Sequence, residues 1–288
     1  MSVRIEKLSP AVGAEVTGID PREPLDAGTV AKLEAAFEEH GVLLFREAPM
    51  TPPQLTAFSR NFGNLQPHVQ RAYHHPEAPE VVVMTNQHAD GSFDETGARR
   101  GAIEDIRQGW HSDLCYDREP AKATLLHATN VPSSGGNTCF TSAYAAYDAL
   151  PEQTRQRVRG LEALFVYGTD HRSKSLVVAA RTLDKEQRAV HPVVNAHAAS
   201  GRTAIYANPL LTAGVIGMEQ EESDRLLDQL FDMLDRPEFR WEHEWSVGDT
   251  LMWDNRGGVM HSGRLDYPLG ELRRFLRTTV TGGPILPA

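Results

Sequence analysis

Two His-x-Asp triplets, His88-Ala89-Asp90 and His111-Ser112-Asp113, have residue types and spacing that could begin a metal site. Residues i and i+2 of a strand point to one face, so His111 and Asp113 can reach a common point. With one more imidazole they would make a set of two His and one carboxylate. On an octahedral ion that set leaves three adjacent positions open, which suits Fe(II) chemistry in which a cosubstrate and O2 bind together. The plainer reading of any single strand His is a hydrogen-bonded core residue. His88 and Asp90 sit among Asn86, Gly91 and Ser92, in a loop-like stretch where side-chain direction is poorly fixed. His111 and Asp113 follow Trp110 and precede a strand-like run at 123–128, so they are the stronger pair. A second His must come from elsewhere, and the run from Gly248 through Trp253-Asp254-Asn255-Arg256 leads into His261.

Further on, Arg273, Phe275 and Arg277 alternate onto one face of a strand and leave Arg274 on the other. A solvated Arg ladder would explain this on a protein surface. Phe275 on the same face argues for burial, and a buried guanidinium calls for an anionic partner, ideally a carboxylate held by its planar fork.

The elements that must position these groups are legible in outline. Residues 31–40 read as a helix closed by Gly41, and a second helix opens at Thr51 with Pro52 in its first turn. Val42-Leu43-Leu44-Phe45 between them reads as a buried strand, and 81–84 as another. The polar, aperiodic stretch 86–109 reads as a long loop, of the kind that covers a site. Short β-like runs then recur around His111 and at 123–128, 138–141, 164–167 and 203–208. Leu226, Leu227, Leu230, Phe231 and Leu234 mark a late helix ended by Pro237. Strand patterns return at 241–245, 250–253 and 272–281. A few helices over many short strands point to a mainly β sandwich or jelly roll with flanking helices, not to a βαβ fold.

Composition narrows the function classes. At 288 residues, 40% hydrophobic and 24% charged, the chain has an ordinary globular make-up, and no repeat or linker divides it, so one domain spanning 1–288 is expected. A net charge of −10 argues against a broad nucleic-acid surface while leaving local Arg clusters free to bind a small anion. The first residues lack a signal-peptide pattern and no long apolar run occurs, so a cytoplasmic protein with no membrane partner is expected. Cys115 and Cys139 form no CxxC pair and are expected to be free thiols.

Taken together, these segments resemble the taurine dioxygenase and 2,4-D dioxygenase family of Fe(II)/2-oxoglutarate enzymes. The likeness runs from about residue 42 to 282. It is densest in Trp110-His111-Ser112-Asp113, Gly135-Gly136-Asn137-Thr138 and Ala145 to Pro151, and again in Trp253-Asp254-Asn255-Arg256, His261 and Arg273 to Thr279. The resemblance implies a double-stranded β-helix of the jelly-roll, cupin-like type, with His111, Asp113 and His261 as the catalytic iron ligands. It implies 2-oxoglutarate as cosubstrate beside O2, its far carboxylate meeting Arg273 and Thr138. Arg277 and His68 would contact a small, anionic primary substrate. A C–H bond of that substrate would be oxidised while 2-oxoglutarate becomes succinate and CO2. Halogenating relatives carry a small residue in place of the carboxylate ligand, so Asp113 favours oxygenation. A homo-oligomer is also implied.

One departure stands out. The family places three residues between the Asp-Asn-Arg run and the distal His, whereas four separate Arg256 from His261. One extra residue in a regular strand flips the face, unless Gly257-Gly258 absorb it as a bulge. Read from the residues alone, two other functions remain open. A zinc metallohydrolase would explain the ligand set but not Arg273 with Thr138. A non-catalytic anion-binding barrel would need the arginines but not Asp113.

Overall fold

The computed structural model describes residues 3–67, 73–93, 106–167, 169–170, 175–176, 188–197 and 200–288. Strands alternate their side chains between two apolar layers, and this alternation builds the protein. In Val42–Phe45, Leu43 and Phe45 face a cluster with Leu33, Phe37, Leu55 and Phe58. These last four belong to the helices Ala27–His40 and Pro52–Ser59. Val42 and Leu44 turn the other way, into a cluster with Phe140, Trp245, Trp253, Val259 and Phe275.

The main sheet has eight strands. At its centre Thr250–Asp254 lies between Val42–Phe45 and Ala123–Asn130, and Arg274–Val280 pairs on the far side of Ala123–Asn130. All its pairings are antiparallel except Ala14–Thr17 with Val42–Phe45. Against its inner face stands a three-stranded sheet in the order Arg240–His243, Thr138–Ser142, Val259–Gly263. Phe140 and Val259 carry that second sheet into the shared cluster. A third cluster packs Gln220–Leu234 and Ala143–Asp148 onto the remaining strands. The protein is mostly β, with helices on the outside.

The helix signals act as anticipated. Asp26 and Thr51 cap the two early helices through their side chains, and Gly41 takes φ 69° to end the first, a conformation that costs glycine little. The first helix begins at Ala27, four residues before the start read from periodicity. The late helix starts at Gln220, ahead of its apolar stripe. The stretch 86–109 is not loop throughout: Gln87 bridges to Phe93, and Ile106–Gly109 is a helical turn. Its residues 94–105 lie outside the described set. Both cysteines are free and buried. Among the described residues, no helix is long and apolar enough to cross a membrane.

Candidate active site

His111, Asp113 and His261 converge: one ligand atom from each lies within 4.8 Å of the other two. Strand alternation does not bring His111 and Asp113 together. His111 is held by an isolated antiparallel bridge in which it and His261 exchange both backbone hydrogen bonds, at 3.1 and 3.0 Å. This pairing sets the two rings side by side, with centroids 4.1 Å apart. The strand ends there. Residues 113–116 form a turn in which Leu114 adopts φ 58°, so the expectation of a regular strand through both ligands is corrected. Asp113 is aimed by the turn and by its partners: its N–H donates to Asn255 Oδ1 at 3.0 Å, and its Oδ2 accepts from Thr124 Oγ1 at 2.6 Å. Asn255 Nδ2 donates in turn to Thr124 Oγ1 at 2.9 Å, closing a small buried ring of hydrogen bonds.

Nor does the extra residue before His261 need a bulge in a strand. Asp254 ends a main-sheet strand and Val259 begins one of the second sheet, so Asn255 to Gly258 form the crossing between sheets. Length added in a crossing leaves the register of the next strand unchanged. Gly257 takes φ 104°, and Gly258 donates its N–H to Asp254 Oδ2 at 3.1 Å. Arg256 ties the crossing to the first helix, bonding Asp254 Oδ1 at 2.6 Å and Glu38 Oε1 at 2.9 Å.

The protonation states suit a donor set. His111 Nδ1 lies 2.7 Å from the Gly109 carbonyl, which only accepts, so that nitrogen carries the proton and Nε2 keeps its lone pair. Burial pushes the pKa of His111 down, and that of His261 down to about 3, where His111 adds repulsion. Burial alone would raise the Asp113 carboxyl, but Arg277, at 3.0 Å from Oδ1, with the hydrogen bond from Thr124, outweighs it and holds Asp113 below the usual carboxylate range. Two neutral imidazoles and one carboxylate therefore meet at neutral pH. Such a set could hold an iron ion in the two-His, one-carboxylate manner.

Arg273 immediately precedes the strand Arg274–Val280, and Arg277 lies within it, where it reaches Asp113. The Arg273 guanidinium stacks 4.3 Å from the Phe275 ring centroid and 5.6 Å from that of Tyr267, and Nη2 donates to the Gly136 carbonyl at 3.2 Å. Its Nε is buried without a partner, and among the described residues no carboxylate pairs with it. Burial lowers its pKa. Asn86 fixes the backbone here, accepting Arg273 N–H at 2.9 Å. Thr138, two residues beyond Gly136, is buried and accepts a hydrogen bond from Trp245. Both ends of 86–109 thus touch the site, Asn86 through Arg273 and Gly109 through His111. His68 lies outside the described residues.

Sequence reasoning did not single out Thr124 or Asn255 as supports of Asp113. Asn255 stood in a highlighted run, but its link to Thr124, 131 residues away, exists only in three dimensions. Tyr116 was also passed over. It is three residues after Asp113 and packs edge-on against Tyr167, centroids 4.9 Å apart, and burial pushes its hydroxyl pKa up, with Arg277 opposing.

Two His and one carboxylate gathered inside a β sandwich make a donor set of the kind that non-haem iron oxygenases use. Comparison with known proteins gives the family: residues 4–279 match the taurine catabolism dioxygenase TauD, TfdA family, and the chain belongs to it. It is similar to the alpha-ketoglutarate-dependent 2,4-dichlorophenoxyacetate dioxygenase of Cupriavidus pinatubonensis, 34% identical over 97% of this chain and 98% of that one. It is also similar to the (S)-phenoxypropionate/alpha-ketoglutarate-dioxygenase of Sphingobium herbicidovorans, 32% identical over 97% and 95%. Among solved structures, AAD-2 in complex with Mn(II) and N-oxalylglycine superposes with a TM-score of 0.83 at 28% identity, covering the whole of both chains. The protein is an alpha-ketoglutarate-dependent dioxygenase that uses Fe(II), 2-oxoglutarate and O2 on a small-molecule substrate. The hydrolase and anion-binding alternatives fall away.

Proposed function

We propose that His111, Asp113 and His261 hold the iron, that Arg273 and Thr138 receive the far carboxylate of 2-oxoglutarate, and that Arg277 binds an anionic group of the primary substrate. The observation that carries this reading is Arg273, a buried cation with an unpartnered Nε and no carboxylate among its described neighbours. An arginine left so is costly unless a ligand completes it. The sheets are read as a double-stranded β-helix and the chain as one such domain, a reading supported by strands from both ends, Arg4–Lys7 and Arg274–Val280, sharing one sheet. The stretch 86–109 is read as the pocket's cover on the strength of its two anchored ends.

The bound metal supplies oxidative decarboxylation of 2-oxoglutarate by O2, giving succinate and CO2 with oxidation of a substrate C–H bond. The protein's part is placement. Thr124 and Asn255 fix Asp113, and the backbone pairing of His111 with His261 fixes both imidazoles. Arg277 lies close to Asp113, so an anion gripped by it would present its neighbouring carbon to the centre. Tyr116, three residues on from Asp113, and its partner Tyr167 would offer aromatic surface to an aryloxy carboxylate of the kind the named relatives act on.

The test is an anaerobic titration of metal-free protein with Fe(II) and 2-oxoglutarate, following the visible charge-transfer band of the chelate. The wild type is expected to show the band, and Arg273→Ala to need at least tenfold more 2-oxoglutarate. Equal titration of the two proteins would refute the anchor assignment.

A further inference from the structure

Trp245 bonds Thr138 directly and reaches Arg273 through Phe275. Its Nε1 donates to Thr138 Oγ1 at 3.0 Å in the buried interior. An indole N–H can only donate, so the threonine oxygen is the acceptor and its own hydrogen must be spent on another group. The Trp245 ring also meets Phe275 edge-on, centroids 4.8 Å apart at 73°, and Phe275 is the shelf on which the Arg273 guanidinium lies. Trp245 is itself braced from behind. His243 packs edge-on at 4.7 Å, and its Nε2 lies 3.1 Å from Oδ2 of the fully buried Asp249. That carboxylate also takes the Ser246 N–H at 3.1 Å. His243 stands directly opposite Thr138 in the register of the second sheet.

We infer that Trp245 is a positioning residue for the cosubstrate's far carboxylate. By donating to the Thr138 oxygen it orients that hydroxyl and leaves its hydrogen free to be given to the ligand, and its ring holds Phe275 under Arg273. The inference rests on the assignment of Arg273 and Thr138 to 2-oxoglutarate. A tryptophan that merely fills the core would affect folding, and through it every ligand alike. A positioning tryptophan affects only ligands that own a far carboxylate.

The experiment compares wild type with Trp245→Phe, which keeps a ring but loses the N–H, and with Thr138→Val and the double variant. Each is titrated anaerobically with Fe(II) and either 2-oxoglutarate or 2-oxovalerate, which chelates in the same way but lacks the far carboxylate. Trp245→Phe is expected to weaken 2-oxoglutarate roughly five- to tenfold, the worth of one ordinary hydrogen bond. Its affinity for 2-oxovalerate is expected to stay within twofold of wild type. In the Thr138→Val background, the Trp245→Phe change is expected to add no loss, because the hydroxyl it orients is gone. Equal weakening of both oxo acids, unchanged 2-oxoglutarate binding, or full additivity in the double variant would overturn the inference. Arg273→Ala, run alongside, separates the two levels. Loss of 2-oxoglutarate affinity there with none in Trp245→Phe rejects the role of Trp245 alone, while no loss in either rejects the anchor assignment beneath it.

Discussion

Asn255 holds Asp113 from behind: its side-chain oxygen accepts the Asp113 N–H at 3.0 Å, while its Nδ2 donates to the threonine that binds the Asp113 carboxylate. Asp113 is therefore fixed directly at its backbone, and through Thr124 at its side chain, by a residue that is itself fully buried. Asn255→Ala would leave the Asp113 N–H without its acceptor and free the carboxylate to turn. Outer partners of metal ligands are typically worth 10- to 100-fold in metal affinity. A loss of that size is expected for Fe(II), measured by competition with a chelator, with a smaller effect for Thr124→Ser, which keeps the hydroxyl. Unchanged affinity in Asn255→Ala would show that Asp113 needs no such support.

The crossing before His261 makes a second prediction. Gly257 sits at φ 104°, and a Cβ there would fall on the Asn195 carboxamide, whose Nδ2 donates to the Arg256 carbonyl at 2.7 Å. Gly257→Ala combines a strained backbone with a collision, for a cost of about 1–3 kcal/mol. A lower melting temperature is expected, together with weaker Fe(II) binding, because His261 follows directly in the next strand. Gly160→Ala, at φ 71° with open space around it, is the control for backbone strain alone. It is expected to lose stability without losing metal affinity.

Much of this site was legible in the sequence, although not always for the right reason. His111, Asp113 and His261 were identifiable by type, but strand alternation does not bring the first two together. The strand ends at His111, and side chains far along the chain aim Asp113. The extra residue before His261 looked like a register problem only because one continuous strand was assumed, where the chain in fact changes sheets. Phe275 and Arg277 keep the period of two within one strand, while Arg273 immediately precedes it. What could not be read was the layer behind the site. Thr124, Asn255 and Trp245 are ordinary strand and turn residues until the fold sets them against their partners.

Arg277 separates substrate binding from cosubstrate binding. It reaches Asp113 Oδ1 at 3.0 Å and has an Nε without a partner among the described residues. If it grips the primary substrate, Arg277→Gln should reduce the stimulation of succinate formation by an aryloxy carboxylate at least tenfold. Binding of 2-oxoglutarate, followed by the anaerobic band, should change far less than in Arg273→Ala. A variant that still responds fully to the anion would exclude Arg277 from substrate recognition.

A pH prediction comes from His127, which lies apart from the metal ligands. It is buried, and its Nε2 accepts the Met50 N–H at 3.0 Å, so its neutral ring donates from Nδ1 to Thr250 Oγ1 at 2.8 Å. A proton on Nε2 would displace the Met50 bond. Burial accordingly lowers this group from 6.5 to about 4. Between those values the unfolded chain takes up a proton that the folded protein refuses, so folding stability falls as pH drops through this window. It is fully present above pH 6.5. The difference amounts to about 3 kcal/mol once the pH is below 4. Denaturant unfolding from pH 7 to 4 should show this slope, and His127→Gln, lower in stability at pH 7, should lose less of what remains on acidification. Parallel pH profiles for the two proteins would place the acid sensitivity elsewhere, with the buried Asp254 carboxyl, held down to about 2, contributing only at lower pH.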